Sequence, residues 1–242
     1  MTPKKSRHSP SSLNAFASSP ATFVMERLLG FSSPVGAAAH RGTACESGVV
    51  SALVEGHDDD YAAGVALVEF DTLSALSGDP RKDKVRSQVD PITRQAITAL
   101  RPYGKPNATQ GFIEWKPEEL EYPIVGYFDF MWDDVGVVVD LKTTMSCPSS
   151  IRSAHARQVA FYSAGNLAGR VAYVTPKRAE IYELEDIAGH RAALLKMAIA
   201  CENFCNLSDD PEFFKSIVVP DIDHYFFSDP AARQKAFEVF GV

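Results

Sequence analysis

Gly126-Tyr127-Phe128-Asp129, followed by Val137-Val138-Val139-Asp140-Leu141-Lys142-Thr143-Thr144, is the stretch that decides how this chain folds. The run from Ile124 to Trp132 is aromatic and β-branched, and the run from Val135 to Leu141 is almost all valine. Both read as strands, the second as a buried one. Asp133-Asp134 reads as the tight polar turn between them. In such a hairpin Asp129 and Asp140 lie near strand ends, where both can face one pocket. Lys142 follows Asp140 by two residues, so along a strand their side chains share a face.

Two or three carboxylates with little other neutralisation suit a hard divalent cation such as Mg²⁺ or Mn²⁺. Such an ion polarises a phosphoryl oxygen and activates water. A lysine beside it orients that water or stabilises charge developing on the phosphate. The plainer alternative is that Asp129 ends a strand and Asp140–Lys142 is an ordinary same-face ion pair. Against it stands the cost of burying an acidic residue in a strand without a partner or a metal.

Downstream lies Gln158-Val159-Ala160-Phe161-Tyr162, inside a helix predicted from about Ser150 to Leu167. Gln158 and Tyr162 are four apart and share a helix face. The ordered set Gly-x-x-Asp, Asp-x-Lys and Gln-x-x-x-Tyr resembles the PD-(D/E)XK nuclease superfamily. It is closest to the RecB-like exonuclease branch, which includes phage recombination exonucleases and CRISPR-adaptation nucleases. That resemblance implies an α/β, restriction-endonuclease-like fold, a mixed central sheet flanked by helices with a helical N-terminal part. It implies one or two Mg²⁺ or Mn²⁺ ions on Asp129, Asp140, Glu46 and the Leu141 carbonyl. Lys142 would then orient the attacking water, and Gln158 and Tyr162 would hold the water, the lysine or the scissile phosphate. The implied activity is DNA exonuclease, in phage-type recombination, replication or repair. A single-strand-annealing recombinase or a single-strand-binding protein is the kind of partner such an enzyme takes. Three alternatives stay open: a metal-dependent endonuclease, a non-catalytic DNA-binding or assembly protein on the same fold, and an enzyme acting on another phosphoester.

Glu46 belongs to Gly42-Thr43-Ala44-Cys45-Glu46, in a helix expected from Gly36 to about Glu55. Many members of the resembled family have Gly-x-x-x-His at this place. Glutamate is the better ligand for a hard cation, and a solvent-facing helical glutamate is the alternative. His40 nearby reads as a surface or capping residue.

Residues 1–10 are basic and polar and read as a loose tail. Residues 11–242 read as one nuclease domain: a mainly helical part (11–105), a catalytic sheet and helix (106–185) and C-terminal helices (186–242). Ser11 and Ser12 cap a short helix, and Pro20 opens another to Leu29. The same segment resembles the one that frames the DNA path in RecB-like nucleases, which makes both serines candidate DNA contacts. Arg81, Lys82, Lys84 and Arg86 form the strongest basic cluster, either a solvated face or a phosphate contact. Thr143, Arg152, His155 and Arg157 are further candidate DNA contacts around the motif.

Helices are expected over Tyr61–Leu76, after an acidic loop at His57 to Asp60, and from the basic cluster past Pro91 to Leu100. Ala108 to Trp115 reads as a first strand, forming an antiparallel meander with the hairpin. Gly169 is expected to stop the Gln158 helix. Strands at Arg170–Thr175 and Ala179–Leu184 follow, then a helix over Asp186–Asn206, a loop-like wrap over 207–228 and a closing helix from Ala231 to Phe240.

The net charge of −7 argues against broad nonspecific coating of DNA, though carboxylates of a metal site count toward that total. Cys45, Cys147, Cys201 and Cys205 include no Cys-x-x-Cys pair, and Cys201 and Cys205 read as core thiols on one helix face. Some members of the resembled branch hold an iron–sulfur cluster with one N-terminal and three C-terminal cysteines. Here Ser18-Ser19-Pro20 stands at the first place and the triplet is missing, so no cluster is expected. No apolar run reaches membrane-spanning length and none near the start resembles a secretory signal. A cytoplasmic protein is expected, in the host cell if phage-encoded, with no membrane partner.

Overall fold

Five strands make one sheet, in the order β1 (Ala108–Trp115), β2 (Ile124–Trp132), β3 (Val137–Thr143), β4 (Ala168–Val174) and β5 (Ala179–Glu183). This computed structural model describes residues 6–31, 34–163, 165, 167–228 and 230–241. The sheet is mixed: β2–β3 and β4–β5 are antiparallel, and β3–β4 are parallel. The parallel pair needs a crossover, supplied by α6 (Ser153–Tyr162). The expected α/β arrangement of helices on a mixed sheet is what forms.

The chain divides into two compact units. The first comprises Pro34–Ile113 and Tyr127–His190. In it α3 (Ala37–Leu53), α4 (Asp59–Leu73) and α5 (Lys82–Leu100) precede the sheet. Alternation along β3 sends Val137, Val139 and Leu141 into a core with Cys45 and Val49 of α3 and Ile92, Ala96 and Ile97 of α5. Each such fully buried aliphatic side chain contributes roughly 1.5–3 kcal/mol. Val171 and Tyr173 of β4 instead pack with Ala156, Val159 and Ala160 of α6. Helices therefore cover both faces, which is why the valine run of β3 is nearly continuous. Gly48 lets α3 lie against its neighbours, since a Cβ there would sit 2.5 Å from Thr93 Cγ2 and 2.9 Å from Ala62 O.

The second unit comprises Met1–Ser33, Glu114–Gly126 and Arg191–Val242. It holds α1 (Pro10–Ser18), α2 (Pro20–Phe23), which continues as a π-turn over Val24–Leu28, α8 (Pro211–Ile217) and α9 (Pro230–Phe240). Most of α7 (Ile187–Cys205) belongs to it as well. Met25, Phe227 and Ala236 form one apolar cluster in this unit. Phe16 meets Phe23 edge-to-face and packs at a tilt against Phe204, as Phe204 does against Phe214.

Several boundaries differ from the sequence-based ones. β3 starts at Val137, not Val135, because Asp133–Val135 form a 3-10 turn closed by Gly136 at φ +64°. The cap of α1 is Ser9, in a capping box with Ser12, so Ser11 lies already inside the helix. The acidic residues before Tyr61 are not a loop: Asp58 caps α4, and Asp59 and Asp60 occupy its first turn, where the helix dipole favours them. Gly169 does not stop α6. The helix ends at Tyr162, and Gly169 lies in β4 where a Cβ would overlap the Ser163 hydroxyl. Within the 207–228 wrap stands α8, opened by Asp210 as cap and Pro211 at its first position. The basic tail is shorter than ten residues: His8 is buried and bridges to Ile124, while residues 1–5 lie outside the described set.

Candidate active site

Register places the two aspartates together. The last antiparallel pair of β2 and β3 is Phe130↔Val139, so Asp129 and Asp140 stand level on neighbouring strands one step further on. Like charges directly opposite in a sheet repel. The ladder ends there, and the Leu141 N–H, which faces β2, donates instead to Asp129 Oδ2 at 2.7 Å. Asp140 is fully buried. The Lys142 ammonium lies 3.0 Å from its Oδ1 and 2.8 Å from its Oδ2. The Oδ2 contact is an ion pair without hydrogen-bond alignment, which leaves that buried oxygen without a donor.

The third carboxylate comes from α3. Glu46 is half-buried, and its Oε2 accepts from Gln110 Nε2 of β1 at 2.8 Å. Burial, and then repulsion from Asp140, raise the Glu46 carboxyl to about 7 despite the pull of Lys142. Burial first, then Asp140 and Glu46, push Asp129 well above the ordinary aspartate range. Burial alone would lower Lys142, but attraction to Asp140 and Asp129 outweighs it and holds the lysine firmly cationic. Elevation of Glu46 and Asp129 by burial and neighbouring carboxylates is the electrostatic mark of a site that calls for positive charge.

From α6, Gln158 Nε2 donates to the Tyr162 hydroxyl at 2.9 Å, as their i,i+4 spacing predicts. Tyr162 is buried, and burial holds its phenol protonated, with Asp140 and Asp129 adding to the effect. The structure therefore brings Glu46, Asp129, Asp140, Lys142 and Tyr162 into one electrostatic cluster, with Gln158 fixing the tyrosine.

The other candidate residues fall in different settings. Thr143 is gripped by Arg41, whose Nε donates to Thr143 Oγ1 at 3.5 Å and Nη2 to Thr143 O at 3.3 Å. His155 Nδ1 lies 2.8 Å from the Tyr173 hydroxyl, and burial together with the nearby Lys142 charge lowers the basicity of the ring. Arg152 is exposed at the N-cap of α6, and its backbone N–H donates to the same Tyr173 hydroxyl. Arg157 lies on α6, its guanidinium basicity lowered by burial. In the basic cluster Arg81 pairs with Asp79 and Arg86 with Asp71, whereas Lys84 stands exposed. Ser11 and Ser12 lie in the other unit, where the Ser12 hydroxyl is engaged by Ser9. Cys45, Cys201 and Cys205 are buried and Cys147 partly so.

Two residues that sequence reasoning passed over belong to this site. Arg41 is buried, with Thr143, Gln88 and Met145 as its hydrogen-bond partners, and it pins the chain just after Lys142. Its place one residue before Gly42 was the only available hint. Gln110, the partner of Glu46, carried no motif signal.

As to a metal, the donor set is three carboxylates around an orphaned buried oxygen, which suits a hard divalent cation. Among the described residues no three His, Cys, Asp or Glu side chains stand close enough to hold an ion as they are arranged. The cause is visible: Asp129 is tied to the Leu141 N–H, Glu46 to Gln110 and Asp140 to Lys142. The residue types fit such an ion. No helix among the described residues is long and apolar enough to cross a membrane.

The family model of the PD-(D/E)XK nuclease superfamily matches residues 7–234. No curated protein matches the chain. Among solved structures, SSO0001 is similar at 16% identity over 82% of this chain and 90% of that one, with a TM-score of 0.33, too shallow a likeness to bear on the function.

Proposed function

Because the chain belongs to the PD-(D/E)XK nuclease superfamily, we propose that it is a divalent-cation-dependent DNA exonuclease, hydrolysing phosphodiester bonds from an end. The observation that carries the proposal is the level pair Asp129–Asp140 with Lys142 on Asp140 and Glu46 beside them. An intact set of acidic residues and lysine favours catalysis over a merely DNA-binding role. Attack from an end rests on the motif order, which resembles that of the RecB-like exonucleases.

In this reading Asp129, Asp140, Glu46 and the Leu141 carbonyl supply oxygen ligands to Mg²⁺ or Mn²⁺. When bound, the ion supplies charge that polarises a phosphoryl oxygen and acidifies the attacking water. The Lys142 ammonium is raised in pKa by Asp140 and Asp129 in the metal-free protein. It orients the water and stabilises negative charge growing on the phosphate. The neutral Tyr162 hydroxyl, steadied by Gln158, donates a hydrogen bond to the same phosphate or water. Thr143, Arg152 and Arg157 contact the DNA backbone near the cut. His155, its basicity lowered, contributes a hydrogen bond there rather than a charge. Lys82 and Lys84 supply outer phosphate contacts, where Arg81 and Arg86 contribute less because each already has a carboxylate.

The test is cleavage of end-labelled linear and closed-circular DNA, single- and double-stranded, with Mg²⁺ or Mn²⁺. Linear DNA should disappear while circles survive. Asp140→Ala and Lys142→Ala should each lower the rate by about 10³-fold or more with circular dichroism unchanged. Cut circles would make the enzyme an endonuclease, and full activity in either variant would remove the site assignment.

A further inference from the structure

Among the described residues Gln110 alone combines a side chain with a positive φ, +51°. It lies inside β1 and not in a turn. The left-handed region is unfavourable for a residue with a Cβ, persists only where the surroundings enforce it, and gathers at functional sites. Two contacts frame the distortion. Gly111, the next residue, lies under the Phe128 ring so closely that a Cβ there would overlap it. The Gln110 amide itself donates to Glu46 Oε2 at 2.8 Å. The burial pattern of the strand changes at the same point. Ala108 and Thr109 are both half-buried, and from Gln110 onward exposed and half-buried residues alternate. The kink therefore aims the Gln110 side chain at α3.

We propose that Gln110 is a positioning residue of the divalent-cation site: its amide holds Glu46 Oε2 and leaves Oε1 to the ion. The inference rests on Glu46 as a ligand in the function proposed above. The residue type suits the task. A neutral donor orients a carboxylate without adding a cation that would repel the ion, as lysine would. Asparagine tolerates the left-handed backbone better, but it is one methylene shorter and falls short of Glu46. Residues that orient a ligand in this way typically change metal affinity 10–100-fold when lost.

The experiment is calorimetric titration of Mn²⁺ into the metal-free full chain, alongside thermal unfolding of the same samples, for wild type, Gln110→Gly, Gln110→Asn and Asp140→Asn. Both Gln110 variants should bind Mn²⁺ about tenfold more weakly. The metal-free glycine variant should unfold no lower than wild type, because glycine takes this φ without strain. Wild-type Mn²⁺ affinity in both Gln110 variants, with binding lost in Asp140→Asn, overturns the inference and leaves the cation site standing. Wild-type affinity in Asp140→Asn overturns the cation site itself. Weakened binding accompanied by a lowered Tm of metal-free Gln110→Gly makes the residue part of the fold and also overturns the inference.

Discussion

Glu202 and the Asp129–Asp140–Glu46 group are buried or half-buried carboxylates with opposite fortunes. Glu202, in the unit with the chain ends, is surrounded by donors. Its Oε1 accepts the Tyr122 N–H at 2.9 Å and lies 3.0 Å from His8 Nε2, and its Oε2 accepts the Glu121 N–H at 3.0 Å. Burial alone would raise its carboxyl, but these backbone donors and His8 outweigh that and lower it. In the unit with the sheet, the carboxylates face one another, and one lysine and one backbone N–H serve the two aspartates. The Glu46 and Asp129 carboxyls are raised in consequence. The contrast teaches that hydrogen-bond donors around a buried carboxylate favour its ionised form, whereas neighbouring carboxylates oppose it.

The largest expected effect breaks the satisfied side. Glu202→Ala strips the acceptor from two backbone N–H groups and His8, which should cost about 3 kcal/mol. Thermal unfolding should then fall by about 6–12 °C, with cleavage per folded molecule unchanged. An unaltered Tm would show that the donors find water at no cost.

On the strained side the sign reverses. Asp129→Asn removes one of two level like charges while its amide oxygen keeps the Leu141 N–H. The metal-free protein should gain about 1 kcal/mol, or 2–4 °C in Tm, and should not show the Tm rise with Mn²⁺ that the proposed site predicts for wild type. A variant less stable than wild type would mean that Asp129 stabilises the fold.

The third test is in pH dependence, where the two groups slope oppositely. Glu202 is lowered from 4.5, so its contribution is present above pH 4.5 and is lost as pH falls below it. Glu46 is raised from 4.5 to about 7, so the metal-free folded protein takes up a proton between those values. Its stability should decline as pH rises through that window. Glu46→Gln should flatten this decline. The Mn²⁺-induced Tm shift of wild type should in turn grow as pH rises through 7, because coordination requires the deprotonated carboxylate. Parallel wild-type and Glu46→Gln profiles from pH 5 to 8 would refute the assignment.

Much of this was legible along the chain because the signals are local. β1 and β2 run where their alternation and composition place them, and the Gln158–Tyr162 pair follows from helical spacing alone. Boundaries shifted where one residue's φ or a side-chain cap decided them, as at Gly136, Asp58 and Asp210. The Gly-x-x-Asp, Asp-x-Lys and Gln-x-x-x-Tyr order pointed to the site, but it said nothing of Arg41 or Gln110. Arg41 grips Thr143 across 102 positions of sequence, and Gln110 reaches Glu46 across 64.

The sequence by itself determined the five strands, most of the helices and the family, since each rests on periodicity and motif order within tens of residues, but it missed α8. Only the tertiary structure decided which carboxylates share a field, which arginines are already paired and which glutamine aims at Glu46. Those are distances across the fold. A Coulomb interaction depends on separation in space and on the surrounding dielectric, neither of which is written in the order of the residues.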